Sequence, residues 1–312
     1  MESVTEREDI TIARDGHVLA AWHYPPSSTD LTDADGRAPA VILAHGLGFT
    51  RDCGLDSYAQ AFAQAGIHAV VFDYSGFGDS EGTPRDVVNV DSQLRDYECA
   101  ITATRALDGV DPKRVALWGT SYAGGIVVAA AARDGEIAAV VSQCPNLDNL
   151  ATALFLVRNT PPLHGAWLVS GVLRDGVRAL RKREPFYVRA MGPEGSGSAY
   201  PSDDIWARLQ HLAGPTWNNR IGLRDFLRLP VFRAVSYLDR LPCRIQFIAC
   251  ELDDLTPVAP TLAAAKKLGD KADLYRVQAG HFDVYVEPFL APAVAAQTKF
   301  LVGELRAPVP AR

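Results

Sequence analysis

The chain has 312 residues, of which 48% are hydrophobic and 22% charged, so it can bury a large core and has the composition of a soluble globular protein. Its net charge of −6 argues against nucleic acid or an anionic membrane as a partner, because both favour a basic surface. No apolar run is long enough to span a bilayer, and the charged N-terminal segment lacks the apolar core of a signal peptide. With no CxxC pair among its five cysteines, the sequence predicts reduced thiols and a cytoplasmic location.

Alternating strands and helices are the main pattern of the chain. The segment 9–25 predicts a hairpin that turns at Asp15-Gly16. Short apolar runs predict strands, the second of which continues into a glycine-rich loop, at 38–46, 67–82, 111–119, 137–145, 244–251 and 272–280. Helical spacing predicts helices at 58–66, 91–107 and 124–132. This order predicts an α/β fold, with a mostly parallel sheet covered by helices on both faces and the hairpin as an antiparallel edge.

The segment 146–241 interrupts this alternation. It is rich in arginine, proline and aromatic residues, and helical spacing recurs within it, as at 166–183. A disordered linker is the alternative, but Trp167, Trp206 and Trp217 make that interpretation weaker. We therefore predict a core domain formed by 1–145 and 242–312, with 146–241 as a helical cap, or lid, inserted over the sheet.

The stretch "LWGTSYAGG" at 117–125 places Ser121 between small residues, directly after an apolar run. A strand, a sharp turn that carries a serine and then a helix form a nucleophile elbow, in which the hydroxyl is exposed at the carboxyl edge of the sheet. The helix start would also direct backbone N–H groups towards that hydroxyl. Taken alone, the pattern fits a serine that caps a helix equally well.

A serine nucleophile needs a base, and seven histidines are available. His281 follows the last predicted strand in "QAGHFDVY", in a turn that should lie at the same sheet edge as Ser121. We expect structural roles for the histidines that lie in or beside strands, and surface or pocket positions for those in the insertion: His17, His23 and His68 in the first group, His164 and His211 in the second. His281 is therefore the predicted base.

The histidine in turn needs a carboxylate that orients it. The segment "ACELDDLTP" offers Glu251, Asp253 and Asp254. Glu251 should still belong to the strand, so we predict Asp253, and Asp254 remains the alternative. Asp283 lies only two residues from His281 and is badly placed to reach back to the imidazole.

An acyl-transfer site must also stabilise an oxyanion, for which two backbone N–H groups are typical donors. We predict the N–H of Tyr122, after the serine, and the N–H of Leu47 in the loop "HGLG" at 45–48, where we expect His45 to fix the loop. A plain strand-ending turn is the alternative for this loop. The glycine-rich segment 75–82 lacks a phosphate-binding motif and is interpreted as structural.

The substrate pocket is predicted from the aromatic residues of the insertion. We predict a lining that favours an apolar acyl or aromatic substrate, formed by His45, Phe155, Trp167, Trp206 and Trp217. Ordinary cap core is the alternative for the tryptophans. No His, Cys and Asp cluster has the spacing of metal ligands, so no metal is predicted.

Several motifs resemble the α/β-hydrolase superfamily, and most closely its branch of polyketide transferases, thiohydrolases, and Xaa-Pro peptidase-like or dienelactone-hydrolase-like proteins. They are "HGLGFTRDCGLDSYAQAFAQAG", "VVFDYSGFGDSEGTPR", "DPKRVALWGTSYAGG", "DDLTP" and "AGHFDVY". The resemblance covers roughly residues 9–305. It implies an eight-stranded sheet, a helical cap, a triad of Ser121, Asp253 and His281, and no cofactor. The chain departs from the pattern at Ala123, where glycine is commoner, and at Ser75, where arginine is frequent.

The expected function is that of a serine hydrolase that cleaves a carboxylic ester or thioester through an acyl-enzyme. The expected substrate is a small molecule with a sizeable apolar or aromatic part. An acyltransferase or a C–C-bond hydrolase of natural-product or aromatic metabolism is the enzymatic alternative, and a ligand-binding protein on a hydrolase scaffold is the other. We expect no nucleic acid or membrane partner, and the sequence leaves a homodimer open.

Overall fold

An eight-stranded sheet forms the centre of the computed structural model, which describes residues 6–306. The strands within these residues are β1 (Glu8–Arg14), β2 (His17–Tyr24), β3 (Ala38–Ala44), β4 (His68–Phe72), β5 (Val110–Thr120), β6 (Ala139–Gln143), β7 (Tyr187–Gly192), β8 (Ser198–Pro201), β9 (Ile221–Gly222), β10 (Arg244–Cys250) and β11 (Ala272–Val277). The central sheet has the order β1-β2-β4-β3-β5-β6-β10-β11. The pairs are antiparallel at β1–β2 and β2–β4 and parallel from β4 to β11.

The hairpin and the buried strands follow directly from the sequence. Asp15 and Gly16 connect β1 to β2 with positive φ angles of 42° and 93°, the conformation that a tight two-residue hairpin requires. Every residue of β3 and of β6 is buried, as expected for strands of a parallel sheet that is covered on both faces. The predicted mostly parallel sheet with an antiparallel edge is confirmed.

Helices cover both faces of the central sheet. They are α1 (Asp56–Gln64), α2 (Val90–Arg105), α3 (Tyr122–Asp134), α4 (Asn149–Asn159), α5 (Pro162–Leu180), α6 (Asp203–Leu209), α7 (Ala259–Leu268) and α8 (Leu290–Glu304). One apolar cluster joins the sheet to α1 and α8, and a second, larger cluster joins it to α2, α3 and α7. None of these helices is both long and apolar enough to cross a bilayer.

Residues 146–241 contain the helices α4, α5 and α6, as their helical spacing predicts. They also contain a three-stranded sheet of order β8-β7-β9, which the sequence interpretation did not predict. The strands β7, β8 and β9 have 6, 4 and 2 residues, too few to produce a recognisable alternation of apolar and polar residues. The division into a core domain and a cap stays a prediction.

Candidate active site

Ser121 occupies a sharp turn between β5 and α3. Its backbone has φ 56° and ψ −120°, a conformation that L-residues rarely adopt and that stores strain. The turn is tight because Gly119 lies against the backbone carbonyl of Ala123, where any Cβ at 119 would overlap it. That contact involves only the backbone of residue 123, so alanine fits there in place of the commoner glycine.

Three side chains that are distant in sequence meet at this turn. The Ser121 Oγ lies 2.9 Å from the His281 Nε2, and the His281 Nδ1 lies 2.6 Å from the Asp253 Oδ2. The His281 and Asp253 side chains are each only 3% exposed. A neutral imidazole with its proton on Nδ1 can therefore donate to the carboxylate and accept the serine proton on Nε2.

The Asp253 carboxylate is held by the turn that follows β10. Its Oδ1 accepts the backbone N–H groups of Leu255 and Thr256 at 2.9 and 2.7 Å, and its Oδ2 accepts the Thr256 hydroxyl at 2.8 Å. Burial alone would raise the pKa of Asp253, but the charge of His281 and these hydrogen bonds lower it below its ordinary value. The carboxylate is thus ionised and fixed in place. The sequence analysis did not identify Leu255 or Thr256 as hydrogen-bond donors to Asp253.

The other candidate carboxylates lie elsewhere. Asp254 is exposed to solvent. The Asp283 Oδ2 accepts the N–H of Gly280 at 2.7 Å, and its Oδ1 lies 2.9 Å from the Arg208 Nη1 of α6. Glu251 pairs with Arg276. Of the four acids considered from the sequence, the structure brings Asp253 to the imidazole.

The two predicted oxyanion donors flank Ser121. Tyr122 is the first residue of α3, where a helix has no internal acceptor for its N–H groups. No carbonyl within 6–306 accepts a hydrogen bond from the Leu47 N–H. Gly46 packs directly on the serine, because a Cβ at 46 would lie 3.1 Å from the Ser121 Cβ. Two unused donors therefore border the hydroxyl.

A buried ion pair supports the loop that carries Leu47. Arg51 donates its backbone N–H to the Asp73 Oδ1 at 2.6 Å, and its guanidinium also binds this carboxylate. Burial raises the pKa of Asp73 to about 6, although Arg51 opposes the shift. The sequence analysis did not single out Arg51. No local motif indicates this partner, which lies 22 residues from the acid.

His45 stays neutral beside this ion pair. Its Nδ1 lies 2.9 Å from the Gly46 carbonyl, and burial lowers its pKa to about 4. An uncharged imidazole that donates to Gly46 holds the glycine against Ser121. This geometry agrees with the expectation that His45 fixes the loop.

Two small cavities border Ser121. One has a volume of about 20 Å³, and its apolar wall includes Phe49, Leu55, Leu209, Leu212 and Tyr285. The other has a volume of about 50 Å³, and its wall includes Leu47, Leu156, Met191, Tyr200 and Leu255. His281 and Phe282 border both cavities. A substrate bonded to the serine would therefore have two largely apolar spaces next to it.

Most of the residues predicted to line the substrate pocket do not border these cavities. His45 borders the first cavity, but Phe155 lines a separate groove beside α7, and Trp167 is 37% exposed in another groove near β8. Trp206 packs against the larger apolar cluster instead. The tryptophan content indicated packing within 146–241 but not the direction of each ring. The residues of 146–241 that do line the cavities, such as Leu209 and Met191, showed no distinctive pattern in the sequence.

Trp217 supports the oxyanion loop from outside. Its Nε1 donates to the Gly48 carbonyl at 2.9 Å, and its ring stacks on Phe49 at 5.3 Å between centroids. The neighbouring Thr216 donates its N–H to the Asp52 Oδ2 at 2.8 Å. The segment around 216 therefore connects residues 146–241 to residues 48–52. Among the described residues, no group of three or more His, Cys, Asp or Glu side chains could hold a metal ion.

Comparisons with known proteins agree with this arrangement. The alpha/beta hydrolase family model matches residues 41–297. Quorum-quenching protein AidA of Acinetobacter baumannii is 32% identical over 284 residues, and the match covers 90% of each chain. Polyketide transferase grgF of Penicillium sp is 26% identical over 288 residues, which cover 90% of this chain and 91% of that protein.

A solved structure shares the fold over nearly the whole chain. The crystal structure of the alpha/beta hydrolase GrgF from Penicillium sp. sh18 superposes with a TM-score of 0.79 and 23% identity, and covers 96% of this chain and 99% of that one. The resemblance stated from the motifs is therefore confirmed, and so is the fold. The chain belongs to the alpha/beta hydrolase family.

Proposed function

We propose that the protein is a serine hydrolase that cleaves carboxylic esters or thioesters through an acyl-enzyme. The observation that carries this proposal is the continuous chain of hydrogen bonds from Ser121 through His281 to Asp253, with distances of 2.9 and 2.6 Å. A serine hydroxyl is a poor nucleophile by itself, and such a chain supplies both the base and the group that orients it. In this proposal, residues 146–241 act as the cap over the site.

The reaction would proceed in two acyl transfers. The Ser121 Oγ attacks the carbonyl carbon while the His281 Nε2 takes the hydroxyl proton, and Asp253 stabilises the resulting imidazolium. The N–H groups of Leu47 and Tyr122 donate to the oxyanion. The His281 proton then passes to the departing alcohol or thiol as the bond to the carbonyl carbon breaks. Water repeats the sequence on the acyl-enzyme and releases the carboxylic acid.

The walls around Ser121 support an apolar substrate. In this proposal one cavity would take the acyl part and the other the alcohol or thiol part, since both border Ser121. Their linings are dominated by leucine, phenylalanine and tyrosine, and the charged side chain nearest the reacting atoms is that of Asp253 behind the imidazole. A substrate with a sizeable apolar portion therefore fits the proposal better than a highly charged one.

An acyltransferase is the second candidate, favoured by the names of two relatives. One is called a polyketide transferase and another, Acyltransferase drtE of Aspergillus calidoustus, is 25% identical over 291 residues. The same acyl-enzyme would serve both reactions, and only the acceptor would differ. Adding short alcohols or amines to the assay and measuring ester or amide products separates the two candidates.

The proposal is tested on p-nitrophenyl esters of graded chain length and on acyl thioesters. We expect turnover that increases with chain length before it falls, and stoichiometric labelling of Ser121 by a fluorophosphonate. Heat-denatured protein is the control, because labelling requires the folded hydrogen-bond chain. Folded protein that neither turns over any ester or thioester nor reacts with the probe would favour a ligand-binding role and overturn the proposal.

The pH dependence follows from the surroundings of His281. Burial lowers the pKa of His281, but the charge of Asp253 outweighs it and raises that pKa above the ordinary 6.5. Only neutral His281 can accept the serine proton, so kcat/KM should rise with pH along a limb whose midpoint lies above 6.5. The charge of exposed Asp254 adds to this effect, so Asp254→Asn should move the midpoint to lower pH. A pH series of kcat/KM for both proteins measures this, and a wild-type midpoint below 6.5 would contradict it.

A further inference from the structure

The outward face of α5 is apolar. Gly171, Val172 and Asp175 are the buried residues of this helix. Its opposite face exposes Leu163, Trp167, Val169, Leu173, Val177 and Leu180, with exposed fractions from 37% to 87%. The helix has 19 residues and is therefore roughly 28 Å long. An apolar surface of this length on a water-facing helix, interrupted only by exposed Ser170 and Arg174, indicates a binding surface.

The spacing of these residues identifies the kind of partner. Ala166, Leu173 and Leu180 recur every seven residues, and Val169 and Gly176 stand three residues after the first two of them. This pattern is the seam by which two helices pack side by side. The small residues among them, Ala166 and Gly176, would let two helix backbones approach closely. A partner helix therefore fits this face better than a flat lipid surface does.

The charges around α5 favour a second copy of the same chain. Arg181 and Lys182 are exposed at its C-terminal end. Glu194 borders a groove at its N-terminal end together with Leu163 and Trp167. Among the described residues, none of these three charged side chains belongs to a salt bridge within the chain. The helix has cations at one end and an acid at the other. When two copies of this face pack antiparallel, the cations of each copy therefore lie next to the acid of the other.

We propose that the protein forms a homodimer in which α5 of one copy packs antiparallel on α5 of the other. The two-fold axis would cross the exposed face of α5 at the level of residue 171, the middle of Pro162–Leu180. Leu173 then packs on Val169 of the second copy, and Leu180 packs beside its Leu163. Arg181 faces Glu194 of the second copy, and each contact occurs twice because the interface is isologous. This interface does not depend on the proposed reaction.

Sedimentation velocity at protein concentrations of about 1 to 100 µM tests whether the dimer forms. We expect a species of about twice 33.7 kDa for the wild type. Leu173→Glu would bury two carboxylates in the seam and should raise the dimer dissociation constant about a hundredfold. Val231→Glu is the matched control, since Val231 is 81% exposed in the same segment but lies outside α5, and it should stay dimeric. Circular dichroism and thermal unfolding establish that both variants are folded.

A charge swap tests the register. Arg181→Glu and Glu194→Arg should each weaken the dimer about tenfold, and the double variant should restore it. A wild type that is monomeric at every concentration would overturn the proposal, as would a dimer that Leu173→Glu leaves intact. Flotation of a monomeric wild type with vesicles containing phosphatidylglycerol, lost in Leu173→Glu, would assign the face to an anionic lipid surface instead. Failure of the swap to restore the dimer would refute the antiparallel register.

Discussion

Ser121→Ala should lower kcat/KM for a p-nitrophenyl ester by at least about 10⁴-fold. The alanine keeps the Cβ of residue 121 but removes the only atom that can form the acyl-enzyme. The expected loss is large because His281 and Asp253 act through that atom, and the oxyanion donors alone give only weak catalysis. Steady-state kinetics with substrate concentrations on both sides of KM measure the change.

The same substitution should leave the fold intact. The Ser121 side chain makes no capping hydrogen bond at the start of α3, so its removal costs the helix nothing. Ser142→Ala is the matched control: Ser142 is buried beside α3, where its hydroxyl donates to the Gly124 carbonyl at 2.8 Å, but it does not bond to His281. We expect this variant to lose less than about tenfold in kcat/KM. Turnover by Ser121→Ala within tenfold of the wild type would refute the assignment of the nucleophile.

Asp253→Asn should be almost as damaging, with a loss of about 10⁴-fold in kcat. The carboxylate accepts the Nδ1 proton of His281 at 2.6 Å, which leaves Nε2 free to accept from the serine. An amide can instead donate to Nδ1 and so favour the opposite tautomer, whose protonated Nε2 cannot act as the base. The neutral amide also gives no charge to stabilise the imidazolium.

Asp254→Asn provides the matched comparison, because it makes the same chemical change one residue away. Asp254 is exposed and acts on His281 only through its charge, so a loss of less than about tenfold is expected. Measuring kcat for both variants at the pH optimum of each removes any difference that is caused only by a changed pKa of His281. A larger loss at 254 than at 253 would reverse the choice between the two acids.

The parts of the site that could be predicted are those governed by the strand order. The carboxyl ends of parallel strands meet at one sheet edge, so the turns after β5, β10 and β11 had to bring Ser121, Asp253 and His281 to the same place. The choice between Asp253 and Asp254 was harder, because neighbouring residues of a turn point in different directions. The donors Leu255 and Thr256, which fix Asp253, become apparent only when the turn is seen.

The packing of residues 146–241 was less predictable for a different reason. Aromatic residues indicate that a segment is packed, but they do not indicate which surface of the protein it packs against. Trp217 was expected to touch substrate and instead bonds to Gly48, while Leu209 and Met191, which are chemically unremarkable, form the cavity walls. Arg51 was missed because its buried partner, Asp73, is brought to it only by the tertiary fold.

The hydrogen bond from Trp217 to the Gly48 carbonyl links the residues that enclose the cavities to the loop that presents the Leu47 N–H. Residues 216 and 217 hold the loop that presents the Leu47 N–H, and they belong to the segment that encloses the small cavities around the hydroxyl. A displacement of this segment that breaks the bond would leave the loop without this support. If the proposed reaction takes place at Ser121, such a movement would therefore widen the entrance and weaken oxyanion stabilisation at the same time.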